Sequence, residues 1–152
     1  MADLPSSILF CCDHNSVRSP MAEGLAKRMY GTRAYLQSAG VHGDREIDGF
    51  AIAVCAELGV GLSRHRSRSF DQMRLWGDDL GAFDLVVALS PASQRRALDL
   101  TRDFALDVVY WPVMDPTGLG ESRDSRLVAY RTTRDQIIER MIERWGGIVP
   151  HR

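Results

Sequence analysis

Apolar positions change their period along the chain, and each change marks an element. Residues 7–12, SILFCC, form an unbroken apolar run, the pattern of a strand buried on both faces. RSPMAEGLAKRMYG follows, with Pro20 opening a helix, Met21, Leu25 and Met29 at helical spacing, and Gly31 as a stop. AYLQSAGV from Ala34 predicts a second strand, after which Phe50, Val54 and Leu58 line one face of a helix that Gly59 closes.

The polar stretch SRHRSRSFDQMRLWGDD then leads, without an element of its own, to FDLVVALS, the clearest β run in the chain. Pro91 fits the first turn of a helix over PASQRRALDLT, and LDVVYWP reads as a short strand. A long loop, VMDPTGLGESRD, precedes a last helix whose apolar stripe is Leu127, Tyr130, Ile137, Met141 and Trp145. Four strands alternating with helices predict an α/β fold of three layers, a four-stranded parallel sheet with helices on both faces. Ligands of such sheets bind beyond the carboxyl ends of the strands. The loop from Cys12 to Ser19 falls at that edge, and VMDPTG falls beside it.

Composition narrows the function classes. The 152 residues are expected to form one domain, residues 1–152, with a single core. Twenty acidic residues nearly cancel nineteen basic ones, so net charge points to neither a nucleic-acid nor a membrane partner. No run approaches the roughly 20 apolar residues of a membrane helix, and MADLPSSILFCC lacks the flanks of a signal peptide, so a cytoplasmic location is expected. Three cysteines, two of them adjacent, make a poor disulfide framework and leave reactivity as their use.

Spacing separates the adjacent cysteines. Five residues lie between Cys12 and Arg18, and six between Cys11 and Arg18. A five-residue loop joining a strand to a helix can curl its N–H groups inward around a tetrahedral oxyanion. The helix N-terminus adds its positive dipole and Arg18 a planar fork for two oxygens. A thiol in such a cradle ionises readily, which makes Cys12 a nucleophile under the phosphorus. Ser19 can hydrogen-bond the sulfur, and Asn15 tolerates the left-handed backbone that a tight loop needs. Cys11 ends the strand, where alternation turns its side chain to the opposite face.

With these residues in place, CDHNSVRSP resembles the loop C-x-G-N-x-C-R-S-P of the low-molecular-weight protein tyrosine phosphatases and their arsenate-reductase relatives. The resemblance continues through MAEGL, SRHRSRSF and MDP, in the family's order and over nearly the whole chain. It implies a flavodoxin-like, doubly wound fold with the phosphate-binding loop between the first strand and first helix. It also implies Cys12 as nucleophile and Arg18 as phosphate ligand, with Asp13, His14, Asn15, Ser16, Val17 and Ser19 completing the phosphate-binding loop. Asp115 of MDP matches the family's general acid, and His65 matches a histidine that braces the loop asparagine. Asn15, Ser19 and His65 thus form a supporting layer. The implied chemistry uses neither metal nor cofactor. Its partners would be a phosphoprotein or a small phosphomonoester, with inorganic phosphate or arsenate as ligand.

Three departures from the family pattern bear on function. Val17 stands where a second loop cysteine usually provides a protective disulfide. His14 replaces a glycine, and it either meets the substrate or points away while the backbone binds. Thr117 and Gly118 replace the aromatic residues that flank a phosphotyrosine ring, so tyrosine specificity does not follow. The readings that remain are a phosphatase forming a phosphocysteine, an arsenate reductase that draws electrons from an external thiol or redoxin, and a non-catalytic phosphate-binding module. Cys55, on a helix face, reads as core, and Arg64, Arg66 and Arg68 read as a solvated turn.

Overall fold

The computed structural model describes all 152 residues. The apolar run of the N-terminus becomes β1 (Ser7–Cys12), buried along its whole length. It pairs in parallel with β2 (Tyr35–Gly40) on one side and with β3 (Leu85–Ala88) on the other, and β4 (Asp107–Tyr110) lies parallel outside β3. The order β2-β1-β3-β4 reverses winding direction between β1 and β3, the point where a doubly wound sheet opens a crevice.

Alternation along β1 divides the core. Ile8, Phe10 and Cys12 face α1 (Arg18–Tyr30), α2 (Gly49–Ala56) and α5 (Arg123–Trp145), packing with Met21, Val54 and Met141 among others. Leu9 and Cys11 face α3 (Phe70–Leu75) and α4 (Pro91–Leu100), against Phe70, Met73 and Ala97. Helices therefore cover both faces, as the strand–helix alternation predicts. No helix is long and apolar enough to cross a membrane.

The structure departs from the sequence reading mainly at short elements. Helix α3 lies inside the polar stretch, because Ser69 and Gln72 form a reciprocal capping box that starts a helix anchored by only two buried residues, Phe70 and Met73. Six residues are too few for an apolar period to register. β3 begins two residues after Phe83, which is preceded by a 3-10 turn at Leu80–Ala82 that Asp79 caps. α1 begins at Arg18 rather than Pro20, a shift a first-turn proline tolerates because its missing N–H has no helical partner. α2 ends at Ala56, leaving Leu58 and Gly59 in the turn that follows.

Glu57, at the end of α2, joins that helix to α5 by accepting hydrogen bonds from Arg131 Nη2 at 2.7 Å and Arg134 Nη1 at 2.8 Å. Hydrogen bonds from Arg131 chiefly, with Arg134 adding to them, hold its carboxyl down to about 2 from an ordinary 4.5. A carboxyl lowered by folding contributes stability that is complete above about pH 4.5 and lost as pH falls toward about 2. Glu57→Gln is expected to flatten the fall in Tm across that window. An unchanged acid limb in thermal melts would show that the pair contributes nothing.

Candidate functional site

The site forms where β1 ends at the crevice. Cys12 is 3% exposed, and its Sγ lies 3.0 Å from Ser19 Oγ and accepts the Ser19 N–H at 3.4 Å. No side chain caps α1; the Ser19 N–H goes to Cys12 Sγ and Pro20 has none, which leaves the Arg18 N–H as the first-turn donor open to a ligand. Arg18 is fixed by one end of its fork: Nη1 donates to Leu89 O at 3.2 Å and to Val113 O at 3.3 Å, carbonyls that follow β3 and β4. Its Nη2 faces two carboxylates, Asp13 at 3.6 Å and Asp115 at 3.7 Å. The planar guanidinium is thus oriented before any anion arrives.

Cys12, Asp13, His14, Ser16, Val17, Arg18 and Asp115 line one small pocket together with Arg45 and Thr117. Asn15 and Ser19 do not line it. They are fully buried beneath it, so their side chains shape the loop rather than meet a ligand. Asp115 stands half exposed on the opposite wall, in a turn closed by the Thr117 N–H donating to its Oδ1 at 3.0 Å. His14 sits on the rim with its Nδ1 held by Asp44 Oδ1 at 2.9 Å and its ring 5.6 Å from that of His42. That bond pulls Asp44 below the usual carboxylate range and leaves the His14 Nε2 edge free.

Asn15 holds the loop's shape. Its φ of 53° makes it the one non-glycine residue in the left-handed region. Its Nδ2 donates to Ser19 Oγ at 2.8 Å and Ser38 Oγ at 2.9 Å, while its Oδ1 accepts from His65 Nε2 and from the Arg68 N–H, each at 3.0 Å. Both atoms near His65 Nε2 are oxygens, so that nitrogen carries the proton. Burial, chiefly, pushes the His65 imidazole below its ordinary value, which keeps it neutral. The backbone must also pass close to β2, and at Gly40 a Cβ would come within 2.7 Å of Asn15 N and 2.5 Å of His42 O.

Several contributors lie outside the sequence motif. Ser38 donates to the buried Glu23 at 2.5 Å, and Glu23 pairs with Lys27 at 2.6 Å. Arg68 is half-buried, its Nε donating to Ser38 O at 2.9 Å, so the reading of 64–68 as a solvated turn fails at this residue. Ser67 donates to Asn15 O at 2.6 Å. Asp48 accepts from Tyr130 and gives its N–H to Ser16 O, tying the loop to α5. Of these only Glu23 carried a local signal, lying one helical turn after Ser19. Ser38, Asp48 and Ser67 come from distant parts of the chain, and no spacing marks them.

The two other cysteines are remote from this chemistry. Cys11 Sγ turns to the far face of the sheet toward Val87 O at 3.6 Å, and burial raises its pKa far above the ordinary thiol range. Cys55 is fully buried on α2, and burial pushes it up to about 12. Peroxide should therefore drive Cys12 through sulfenic to sulfinic acid, since the face of the sheet separates it from Cys11. Mass spectrometry should find two added oxygens on Cys12 and activity that dithiothreitol does not restore. An abundant Cys11–Cys12 bridge would contradict this.

Comparison with known proteins gives consistent results. The profile of the low molecular weight phosphotyrosine protein phosphatases matches residues 7–146. A glutaredoxin arsenate reductase from Synechocystis is 29% identical over 136 residues, covering 88% of this chain and 92% of its own. Among solved structures, an arsenate reductase in a phosphate-binding state superposes with a TM-score of 0.72 at 26% identity, over 90% of this chain and 94% of the other. A low molecular weight protein tyrosine phosphatase from T. tengcongensis superposes with a TM-score of 0.69 at 27% identity, over 90% and 97% respectively.

Proposed function

This chain belongs to the low molecular weight phosphotyrosine protein phosphatase family, and from that membership we propose that it is a cysteine-dependent phosphomonoesterase working through a phosphocysteine. The observation that carries the reading is the arrangement of three groups around one pocket: Cys12 Sγ on its floor, the free end of the Arg18 fork, and Asp115 3.7 Å from that fork. An incoming phosphate would displace the two carboxylates from Arg18 Nη2 and take their place with bidentate geometry.

The thiolate of Cys12 attacks phosphorus in line as the ester P–O bond breaks, and Asp115 gives its proton to the leaving oxygen. Asp115, now a carboxylate, takes a proton from water as that water attacks the phosphocysteine. The S–P bond breaks, inorganic phosphate leaves, and the sulfur departs as a thiolate stabilised by the Ser19 hydroxyl and N–H. No stacking residue follows Asp115, and the exposed Thr117 and Gly118 leave room for small or non-aromatic phosphomonoesters as well as phosphoprotein segments. A reducing, cytoplasmic setting is part of this reading, since the nucleophile must stay a thiol.

Arsenate reduction is the second reading, favoured by the arsenate reductases among the relatives this chain resembles. The same thiolate would displace water from arsenate. An external thiol would then attack Cys12 Sγ, so that two electrons pass to arsenic, arsenite leaves and a mixed disulfide remains. Cys11 across the sheet and Cys55 within α2 are not placed to serve an internal relay. One panel tests both: p-nitrophenyl phosphate, phosphopeptides, and arsenate with glutathione–glutaredoxin or thioredoxin. Hydrolysis without arsenate-dependent thiol oxidation supports the phosphatase, and the reverse result overturns it. Asp115→Asn is expected to lower kcat on p-nitrophenyl phosphate by about 10²–10³ while leaving phosphate affinity nearly unchanged. An unaltered kcat would remove Asp115 from the mechanism.

A further inference from the structure

Behind the Cys12 loop lies a second cavity, about 480 Å³, between α1 and residues 61–68. Its walls carry four cations, Lys27, Arg64, Arg66 and Arg68, and one carboxylate, Glu23. His65 also lines it and is neutral, so four positive charges against one negative leave three uncompensated. The balance of the chain, 20 acidic against 19 basic residues, makes this a local concentration rather than a property of the whole surface.

The cations are not equivalent. Lys27 and Arg68 are held by Glu23, with Arg68 also bonded to Ser38 O, which fixes two of the charges, the half-buried Arg68 and the exposed Lys27. Arg64 and Arg66 are exposed and make no ion pair or side-chain hydrogen bond, although the adjacent groove, which Arg66 also lines, holds two carboxylates, Asp44, taken by His14, and Glu46. Two anchored cations and two free guanidinium forks suit an extended anion whose oxygens carry several charges, rather than a single tetrahedral ion.

We propose that this cavity is a second anion site that takes a multiply charged phosphate chain, either inorganic tripolyphosphate or the phosphate tail of a nucleotide. It is separate from the Cys12 pocket, with which it shares no lining residue. It shares two residues with the loop's support instead, because His65 and Arg68 both donate to Asn15 Oδ1.

The test is a ¹H–¹⁵N NMR titration of the full chain with sodium tripolyphosphate, ATP, adenosine and orthophosphate, on wild type and on the double variant Arg64→Glu/Arg66→Glu. Saturable shifts are expected at the amides of Gly24, Lys27 and residues 61–68. Tripolyphosphate should bind there at least about tenfold more tightly than orthophosphate, and the double variant should weaken it at least about tenfold. Both arginines are exposed, and retained spectral dispersion checks the fold; neutral Arg64→Gln/Arg66→Gln should fall between. Binding by tripolyphosphate alone identifies the inorganic chain, and equal binding by ATP identifies the nucleotide tail. Shifts confined to residues 13–18, binding by adenosine alone, or equal affinity in the double variant would overturn the site. The readout needs no turnover, so it stands or falls apart from the phosphatase reading.

Discussion

Cys12→Ser is expected to reduce turnover of p-nitrophenyl phosphate by at least about 10⁴-fold while the protein keeps its fold and still binds inorganic phosphate. The substitution exchanges a sulfur for a smaller oxygen, with no change of shape otherwise, at a buried position already beside Ser19. Arg18 and the uncapped end of α1 are untouched, so the anion cradle persists. What disappears is the sulfur nucleophile, since a serine hydroxyl is a far weaker acid than a thiol and its hydrogen-bond partner here, Ser19, is no base to take its proton. Turnover above about 1% of wild type would exclude the covalent route. Phosphate binding lost together with activity would point to a collapsed loop instead, which the same titration detects.

Asn15→Ala is expected to cost about 3–4 kcal/mol of stability and most of the activity, although Asn15 does not line the pocket. Four side-chain hydrogen bonds are lost at a fully buried position, and the Arg68 N–H, Ser19 and Ser38 are left short of partners. Alanine must also hold a φ of 53°, which costs an ordinary residue about 1–2 kcal/mol. Asn15→Gly separates the two effects, because glycine adopts that backbone freely but makes no bonds. The glycine variant should recover about 1 kcal/mol relative to alanine in denaturant unfolding and remain well below wild type. Equal stability of the two variants would mean that the backbone conformation carries no strain. Recovery to wild type would mean that the network contributes nothing.

The supporting layer around Asn15 shows where a sequence reading stops. Asn15, Ser19 and His65 could be named because they sit in recognisable motifs. Ser38, Ser67 and Arg68 could not, because each is polar for a reason that exists only once β2, α1 and the segment before α3 have met. Arg68 illustrates this: its two arginine neighbours in sequence face solvent, while its own side chain folds back onto β2 and its N–H reaches Asn15. Helix α3 escaped for a related reason. Its cap is local, but its length is set by packing two side chains against the sheet.

By itself the sequence determined the sheet of four strands, the layers around it, and which adjacent cysteine faces the loop. Those features follow from local periodicity and from counting residues between Cys12 and Arg18. The tertiary structure alone decided that Arg18 is clamped by the carbonyls of Leu89 and Val113, that Asp115 reaches its free end, and that Lys27 and residues 64–68 close a basic cavity behind the loop. Such contacts join residues tens of positions apart, and their geometry depends on crossover packing and strand register, which no local pattern in the chain records.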